Sequence, residues 1–177
     1  MSRCMTLLLL VGLLGSFSSC ASEKKLSPET LALQAKYGEL LKIKRFGLIA
    51  VNVNGDAGKL GLNNNDLTDY AKLRFKNNFS RVSYEEVSKE ELQTLSGDDA
   101  KAKKVGVISC RVWVVGNNYP VAYHVRCDEG NYKNLSIWSD EILGYGSKPN
   151  LPETVKRSIS EMMEKLAITY FKVRGEM

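Results

Sequence analysis

The sequence predicts an α+β two-layer sandwich: a mixed sheet, with one parallel βαβ crossover and then an antiparallel meander, that has helices on one face. Three observations predict this class. A continuous apolar stretch from residue 46 is followed by a helical pattern and a second extended stretch, which is the order of a parallel crossover. Three strand-like stretches follow one another after residue 104. A long amphipathic segment, typical of a helix packed on a sheet, then closes the chain.

The chain up to residue 55 predicts one helix and one buried strand. Ser27 followed by Pro28 is a typical helix start, with a capping hydroxyl and a proline at the first helical position, and the pattern runs to about Leu41. Residues 46–55, FGLIAVNVNG, are rich in β-branched side chains and end in an Asn-Gly turn signal. We therefore expect a buried strand.

The crossover is predicted from the next fifty residues. Residues 63–79 begin with an Asn/Asp cap and place four side chains on one helical face: Leu67, Tyr70, Ala71 and Phe75. Residues 80–86, SRVSYEE, predict a short strand parallel to the first. Ser88 fits a capping box that opens a short helix, and residues 96–104 are typical of an exposed connector.

The remaining chain predicts the meander and the closing helix. Residues 105–115, 121–128 and 135–144 are strand-like, and the last helix begins at Pro152. Apolar side chains recur along that helix at steps of three and four: Val155, Ile159, Met162, Leu166, Tyr170 and Val173.

The first nineteen residues have the features of an export signal. One arginine precedes an apolar core too short to span a membrane, and small residues follow it. The segment Ser18-Ser19-Cys20 resembles the bacterial lipoprotein signal, in which the cysteine is lipidated and becomes the first mature residue. The resemblance implies lipidation of Cys20 and, because Ala21 follows it, the outer membrane. An ordinary secretory signal cut after Ala21 is the alternative.

The hairpin between residues 105 and 128 can be assigned a register. A loop at residues 117–120 keeps Pro120 out of the ladder, so that Gly116 pairs with Val121 and Cys110 lies opposite Cys127. Opposed residues have Cα atoms about 4.5–5.5 Å apart, within reach of a disulfide. Since an exported chain meets an oxidising compartment, we predict a Cys110–Cys127 disulfide, with two buried free thiols as the alternative.

The same register places four functional candidates on the other face of the hairpin: Arg111, Trp113, His124 and Arg126. Trp and Arg carry much of the energy of protein interfaces, so we expect this face to contact a partner.

Arg111 faces Arg126 in this register, and two like charges in opposition are unfavourable without an anion between them. Asp128, Asp140 or Glu141 would supply that anion from within the chain. An anionic group of a protein partner, lipid or glycan is the alternative.

The composition argues against several functions. The net charge is +5, or about +4 once residues 1–19 are removed, and the charges are interspersed, which argues against a nucleic-acid surface. His124 is the only histidine, so a site with several histidine ligands is excluded. No nucleophile elbow accompanies it. We therefore expect no catalytic residue, no metal site and no cofactor, and hence no enzymatic activity.

These expectations combine into one organisation: a signal peptide at residues 1–19, a lipidated tether at 20–27 and a single periplasmic domain at 28–177. The order of elements is loosely similar to that of small periplasmic domains such as the amino-terminal domain of TolB. We expect a lipoprotein of the bacterial cell envelope, held to the membrane by its anchor, that binds or scaffolds an envelope protein. The alternative is a diffusible periplasmic protein that binds a small or anionic ligand.

Overall fold

Four strands form one mixed sheet in the order β1-β2-β3-β4. The computed structural model describes residues 26–116 and 120–177, so Cys20 and the leader lie outside the described residues. The strands are β1 (Arg45–Gly55), β2 (Val105–Val115), β3 (Val121–Asn131) and β4 (Trp138–Gly146). β1 runs parallel to β2, and the other neighbouring pairs are antiparallel. The predicted mixed sheet is confirmed.

Four of the five helices described begin within one residue of the predicted start, and α4 lies where the sequence predicts a connector. They are α1 (Pro28–Tyr37), α2 (Asn64–Asn78), α3 (Lys89–Gly97), α4 (Asp99–Ala102) and α5 (Leu151–Val173), and a 3-10 turn continues α1 from Gly38 to Lys42. Side-chain oxygens of Ser27, Asn63 and Ser88 accept hydrogen bonds from backbone amides three residues on, at 3.1, 2.9 and 3.2 Å. Each cap satisfies one of the amides that a helix start leaves unpaired.

The parallel crossover is longer than the sequence predicts. The partner of β1 is β2, and the predicted strand at residues 80–86 forms only an isolated parallel bridge between Tyr84 and Phe46. That segment has two apolar side chains, Val82 and Tyr84, whereas β2 has a buried residue at nearly every position of its first half. The crossover therefore passes through α2, α3 and α4, and the predicted connector contains the single turn of α4.

The face of the sheet that α2 and α5 cover holds the main core, and α1 packs against α5. All six residues of the α5 stripe are buried, and all but Val173 belong to this core, which confirms the predicted helix. The aromatic rings of Phe46, Phe75 and Phe79 pack against one another, with centroids 4.5–5.6 Å apart. Gly106 lies beneath this cluster, and an added Cβ would stand 2.6 Å from the Phe46 ring.

The two short helices of the crossover pack on the opposite face, at the start of β2. Leu95 of α3, Ala102 of α4 and Val105 form a small second cluster of buried side chains. Val105 precedes Gly106, which faces the main core, so its own side chain points to the other face. The remainder of that face, toward the ends of β1 and β2, is left open to solvent.

The central hairpin has the predicted register. Cys110 lies opposite Cys127, and the two form a disulfide with Cα atoms 4.0 Å apart. The strands after it differ from the prediction: β3 extends to Asn131, and β4 begins at Trp138 rather than at residue 135. The Asn131 side-chain oxygen accepts hydrogen bonds from the amides of Lys133 and Asn134, at 2.9 Å each, and this turn occupies the residues expected to start β4.

Across residues 26–116 and 120–177, none of the helices combines the length and the apolar composition that crossing a bilayer requires.

Candidate contact surface on the open face of the sheet

A row of apolar side chains crosses the open face near the ends of β2 and β4. Trp113 on β2 pairs with His124 on β3, and His124 pairs with Leu143 on β4. Two residues further along β2, Val115 pairs with Ala122, which pairs with Tyr145. We refer to five of these side chains together as the apolar patch: Trp113, Val115, Ala122, Leu143 and Tyr145. Cross-strand neighbours lie about 5 Å apart, so these side chains form one continuous surface.

The apolar patch is strongly exposed. Leu143 and Tyr145 have relative exposures of 80% and 78%, and Trp113 has one of 55%. Together with Val115 they present on the order of 500 Å² of largely apolar surface, at the upper end of what monomeric soluble proteins expose. Such patches mark places where another molecule binds, and Trp and Tyr are common anchors of protein interfaces.

The two opposed arginines next to the patch share one carboxylate. Arg111 donates to Asp128 at 3.1 Å, and Arg126 donates to the same carboxylate through two nitrogens at 2.8–3.1 Å. The first alternative from the sequence is therefore correct, because the anion comes from the chain itself. Burial raises the pKa of the Asp128 carboxyl, but the hydrogen bonds from Arg126 and Arg111 outweigh it, and the net pKa is lowered.

His124 has an acidic neighbour on β4. Its Nε2 lies 3.2 Å from a carboxylate oxygen of Glu141, and Arg126 approaches the same oxygen at 3.9 Å. In the part of the chain that the structure describes, no three His, Cys, Asp or Glu side chains gather to hold a metal ion. The structure thus brings together all four residues that the sequence singled out, with the arginines paired internally and Trp113 exposed.

The end of β2 that carries Trp113 and Val115 is fixed by Asp56, which follows β1. The Asp56 amide donates to the Val114 carbonyl at 2.9 Å, and the Gly116 amide donates to its carboxylate at 3.0 Å. Hydrogen bonds from Lys59 and Gly116 lower the pKa of the Asp56 carboxyl. The carboxylate therefore holds the hairpin in place at neutral pH.

The two outer edges of the sheet differ. On β1, side chains of α2 cap the outward amides: Thr68 accepts from Val51 at 3.0 Å, and Asn64 accepts from Val53 at 2.9 Å. Among the described residues, no backbone hydrogen bond from another element reaches the outer edge of β4. The apolar patch therefore adjoins an unpaired strand edge, the kind of edge to which another chain can add a strand.

The patch lies far from the point where the described chain begins. Leu26 packs against the residues that follow α5, and its side chain lies 3.0 Å from the position that a Cβ added to Gly175 would take. Next to Gly175, Arg174 donates to the Leu40 and Ile43 carbonyls at 2.7 Å each, just before β1 starts.

Trp113 lies eight residues after Val105 in β2, which at a rise of about 3.3 Å per residue is about 26 Å along the strand. The patch and Leu26 thus lie at opposite ends of the sheet.

The hairpin register already places Val115 on this face, but sequence reasoning missed Leu143 and Tyr145 as members of this surface. With β4 expected at residues 135–144, Tyr145 fell outside the strand. The adjacent apolar pair Ile142 and Leu143 also gave no period-two signal to show which of the two faces solvent. The confirmed hairpin register, extended to β4 through the Val125 and Ile142 pair, is the signal that identifies them.

No protein-family model matches this sequence. No curated protein matches it. Among solved structures, the chain is similar to the PelC dodecamer from Paraburkholderia phytofirmans, with a TM-score of 0.44 and 13% sequence identity, covering 71% of this chain and 89% of that chain. A leucine-to-methionine variant of that dodecamer gives a TM-score of 0.43 and 12% identity over the same shares. At this level of similarity, neither structure establishes a function for the present chain.

Proposed function

We propose that the mature chain is a non-enzymatic lipoprotein of the bacterial cell envelope, anchored through Cys20, that binds or scaffolds an envelope protein through the apolar patch. The observation that carries the proposal is the exposure of Trp113, Leu143 and Tyr145 together on the part of the sheet face that α3 and α4 leave open. Leaving such a surface in water is unfavourable for an isolated domain, and a partner would bury it.

The position of the patch supports an anchored domain. Cys20 is six residues from Leu26, so an extended tether reaches at most about 20 Å from the end of the domain where Leu26 lies. The patch is at the other end of the sheet. An anchor at Cys20 would therefore hold the patch away from the bilayer, where a periplasmic protein can reach it.

The pairing of the arginines disfavours the diffusible, anion-binding alternative on this face. Arg111 and Arg126 already share the Asp128 carboxylate, and His124 has Glu141 beside it. An incoming small anion would have to displace an internal carboxylate. A partner that binds the apolar patch would not have to displace an internal carboxylate.

The anchor is tested by the intact mass of the protein extracted from its native host. We expect a chain that begins at Cys20 and carries several hundred daltons of acyl modification. An unmodified chain that begins after Ala21 would contradict the anchor and leave the contact surface to be tested by itself.

The contact surface is tested with a double variant, Leu143→Gln and Tyr145→Gln, compared with Leu73→Gln. Leu73 is a matched control because it is an exposed leucine, 55% accessible, on α2 rather than on the sheet. After chemical crosslinking in the native host, we expect the tagged wild type and the Leu73 variant to recover the same partner. Recovery of that partner at wild-type levels by the double variant would contradict the proposal.

A further inference from the structure

We infer that a lysine groove at the anchor end of the domain, lined by Lys42, Lys44, Lys103 and Lys104, binds the anionic phospholipid headgroups of the membrane. This inference rests on the proposed function for the anchor at Cys20. It assigns a second surface to the chain, at the opposite end of the sheet from the apolar patch.

The groove is built by the parallel pairing of β1 and β2. Both strands start at the same end of the sheet, and the Lys44 amide donates to the Lys104 carbonyl at 2.8 Å. The 3-10 turn after α1 brings Leu41 and Lys42 to one side, and the end of α4 brings Lys103 to the other. The resulting groove has a volume of about 580 Å³, enough for a phosphodiester headgroup.

The groove has an excess of positive charge. Lys42 is paired with Glu39, and the acidic residue in the groove, Asp99, is paired with Lys133 at 2.8 Å. Within the described residues, Lys44, Lys103 and Lys104 form no ion pair. Four lysines therefore line a groove that contains one carboxylate, that of Asp99, and the positive charges of Lys133 and Lys103 both lower the pKa of this carboxyl.

The anchor end is the same end of the domain. Leu26 packs against Gly175, and the neighbouring Arg174 donates to the carbonyls of Leu40 and Ile43, the residues on either side of Leu41 and Lys42. A tether of about 20 Å at most keeps a lipidated Cys20 close to this end. The sequence of the tether contains two further lysines, Lys24 and Lys25.

A phospholipid surface is the occupant that fits these observations. Its phosphates carry the opposite charge, and basic residues near a lipid anchor add about 1 kcal/mol of binding each. Leu41 also lines the groove and is exposed, so its apolar side chain can contact the boundary between the headgroups and the acyl chains of the membrane. Bound in this way, the domain would stand on the membrane by its basic end and present the apolar patch away from it.

The test uses the mature chain with Cys20→Ala, so that any binding to vesicles comes from the domain and not from acylation. Cosedimentation is measured with vesicles of phosphatidylcholine and with vesicles that contain phosphatidylglycerol in equal amount. We expect binding to the anionic vesicles only, weakened by salt. The triple variant Lys44→Gln, Lys103→Gln and Lys104→Gln should bind about 100-fold less tightly, or about five-fold per lysine.

The matched control is the triple variant Lys59→Gln, Lys148→Gln and Lys156→Gln, which removes the same charge at the other end of the sheet. We expect it to keep most of the binding. Equal losses in both triple variants, no loss in either, or no binding by the parent chain would overturn the inference. Thermal stabilisation by inorganic phosphate without vesicle binding would assign the groove to a free anion and would also overturn it. The mass of the native protein tests the anchor separately.

Discussion

Removing the Cys110–Cys127 disulfide should lower the stability of the domain by about 3 kcal/mol. The two cysteines are 17 residues apart, and closing a loop of that length restricts the unfolded chain by roughly this amount in the chain-entropy model. Both side chains are buried in the main core. For a domain of this size, the loss corresponds to a melting temperature lower by about 6–12 °C.

Urea unfolding of oxidised and reduced protein measures this loss without changing any buried volume. A mature chain with Cys20→Ala holds only these two cysteines, so alkylation before and after reduction counts them directly. We expect no reactive thiol in the oxidised protein and two after reduction, with a midpoint lower by about 1–3 M urea. Coincident unfolding curves, or two thiols that react in the native unreduced protein, would refute the reasoning.

Three further predictions concern the core and the close approaches within it. Glu129 is buried with both carboxylate oxygens unpaired, and burial raises its pKa well above the ordinary range. The folded state therefore holds its proton more tightly than the unfolded state, and stability falls as the pH rises above about 4.5. Glu129→Gln should stabilise the domain by about 1–3 kcal/mol at pH 8 and by little at pH 4. The exposed control Glu164→Gln should leave the free energy of unfolding unchanged at both pH values. If Glu129→Gln changed that free energy equally at pH 8 and pH 4, the result would argue against a buried ionisation. Arg174→Met should cost about 2–4 kcal/mol in urea unfolding, because it removes two 2.7 Å hydrogen bonds to backbone carbonyls before β1, and Arg174→Lys should restore little of it. Gly130→Ala should lower the melting temperature by at least about 5 °C, since its Cβ would stand 2.1 Å from a backbone oxygen, whereas Gly38→Ala meets nothing within 4 Å and should change it by less than about 2 °C.

The parts of the fold that follow from local pattern were predictable. Pro120 cannot donate to a ladder, and placing it in the loop fixes the register that brings Cys110 opposite Cys127. Ser27 and Ser88 mark helix starts because their hydroxyls cap the free amides that follow. The α5 stripe repeats at helical spacing and is buried along its whole length.

The parts that depend on distant pairing were not predictable. The sequence offers residues 80–86 as the nearest parallel partner of β1, and only tertiary packing shows that β2 takes that place. The lysine groove follows from the same pairing, because Lys44 and Lys104 become neighbours across sixty residues of chain. Nothing in the sequence pattern distinguishes Glu129 from the exposed acidic residues. Its burial is set by the extension of β3 past the predicted end at Asp128.

The central claim, that the apolar patch contacts a protein partner away from the membrane, is tested most directly by site-specific photo-crosslinking in the native host. A photoreactive residue would replace Tyr145 or Trp113 on the patch, and in separate chains the exposed Leu73 or Leu31 elsewhere on the domain. We expect one discrete protein crosslink from both patch positions and none from the control positions. Crosslinks to lipid alone from the patch, or the same proteins captured at all four positions, would contradict it.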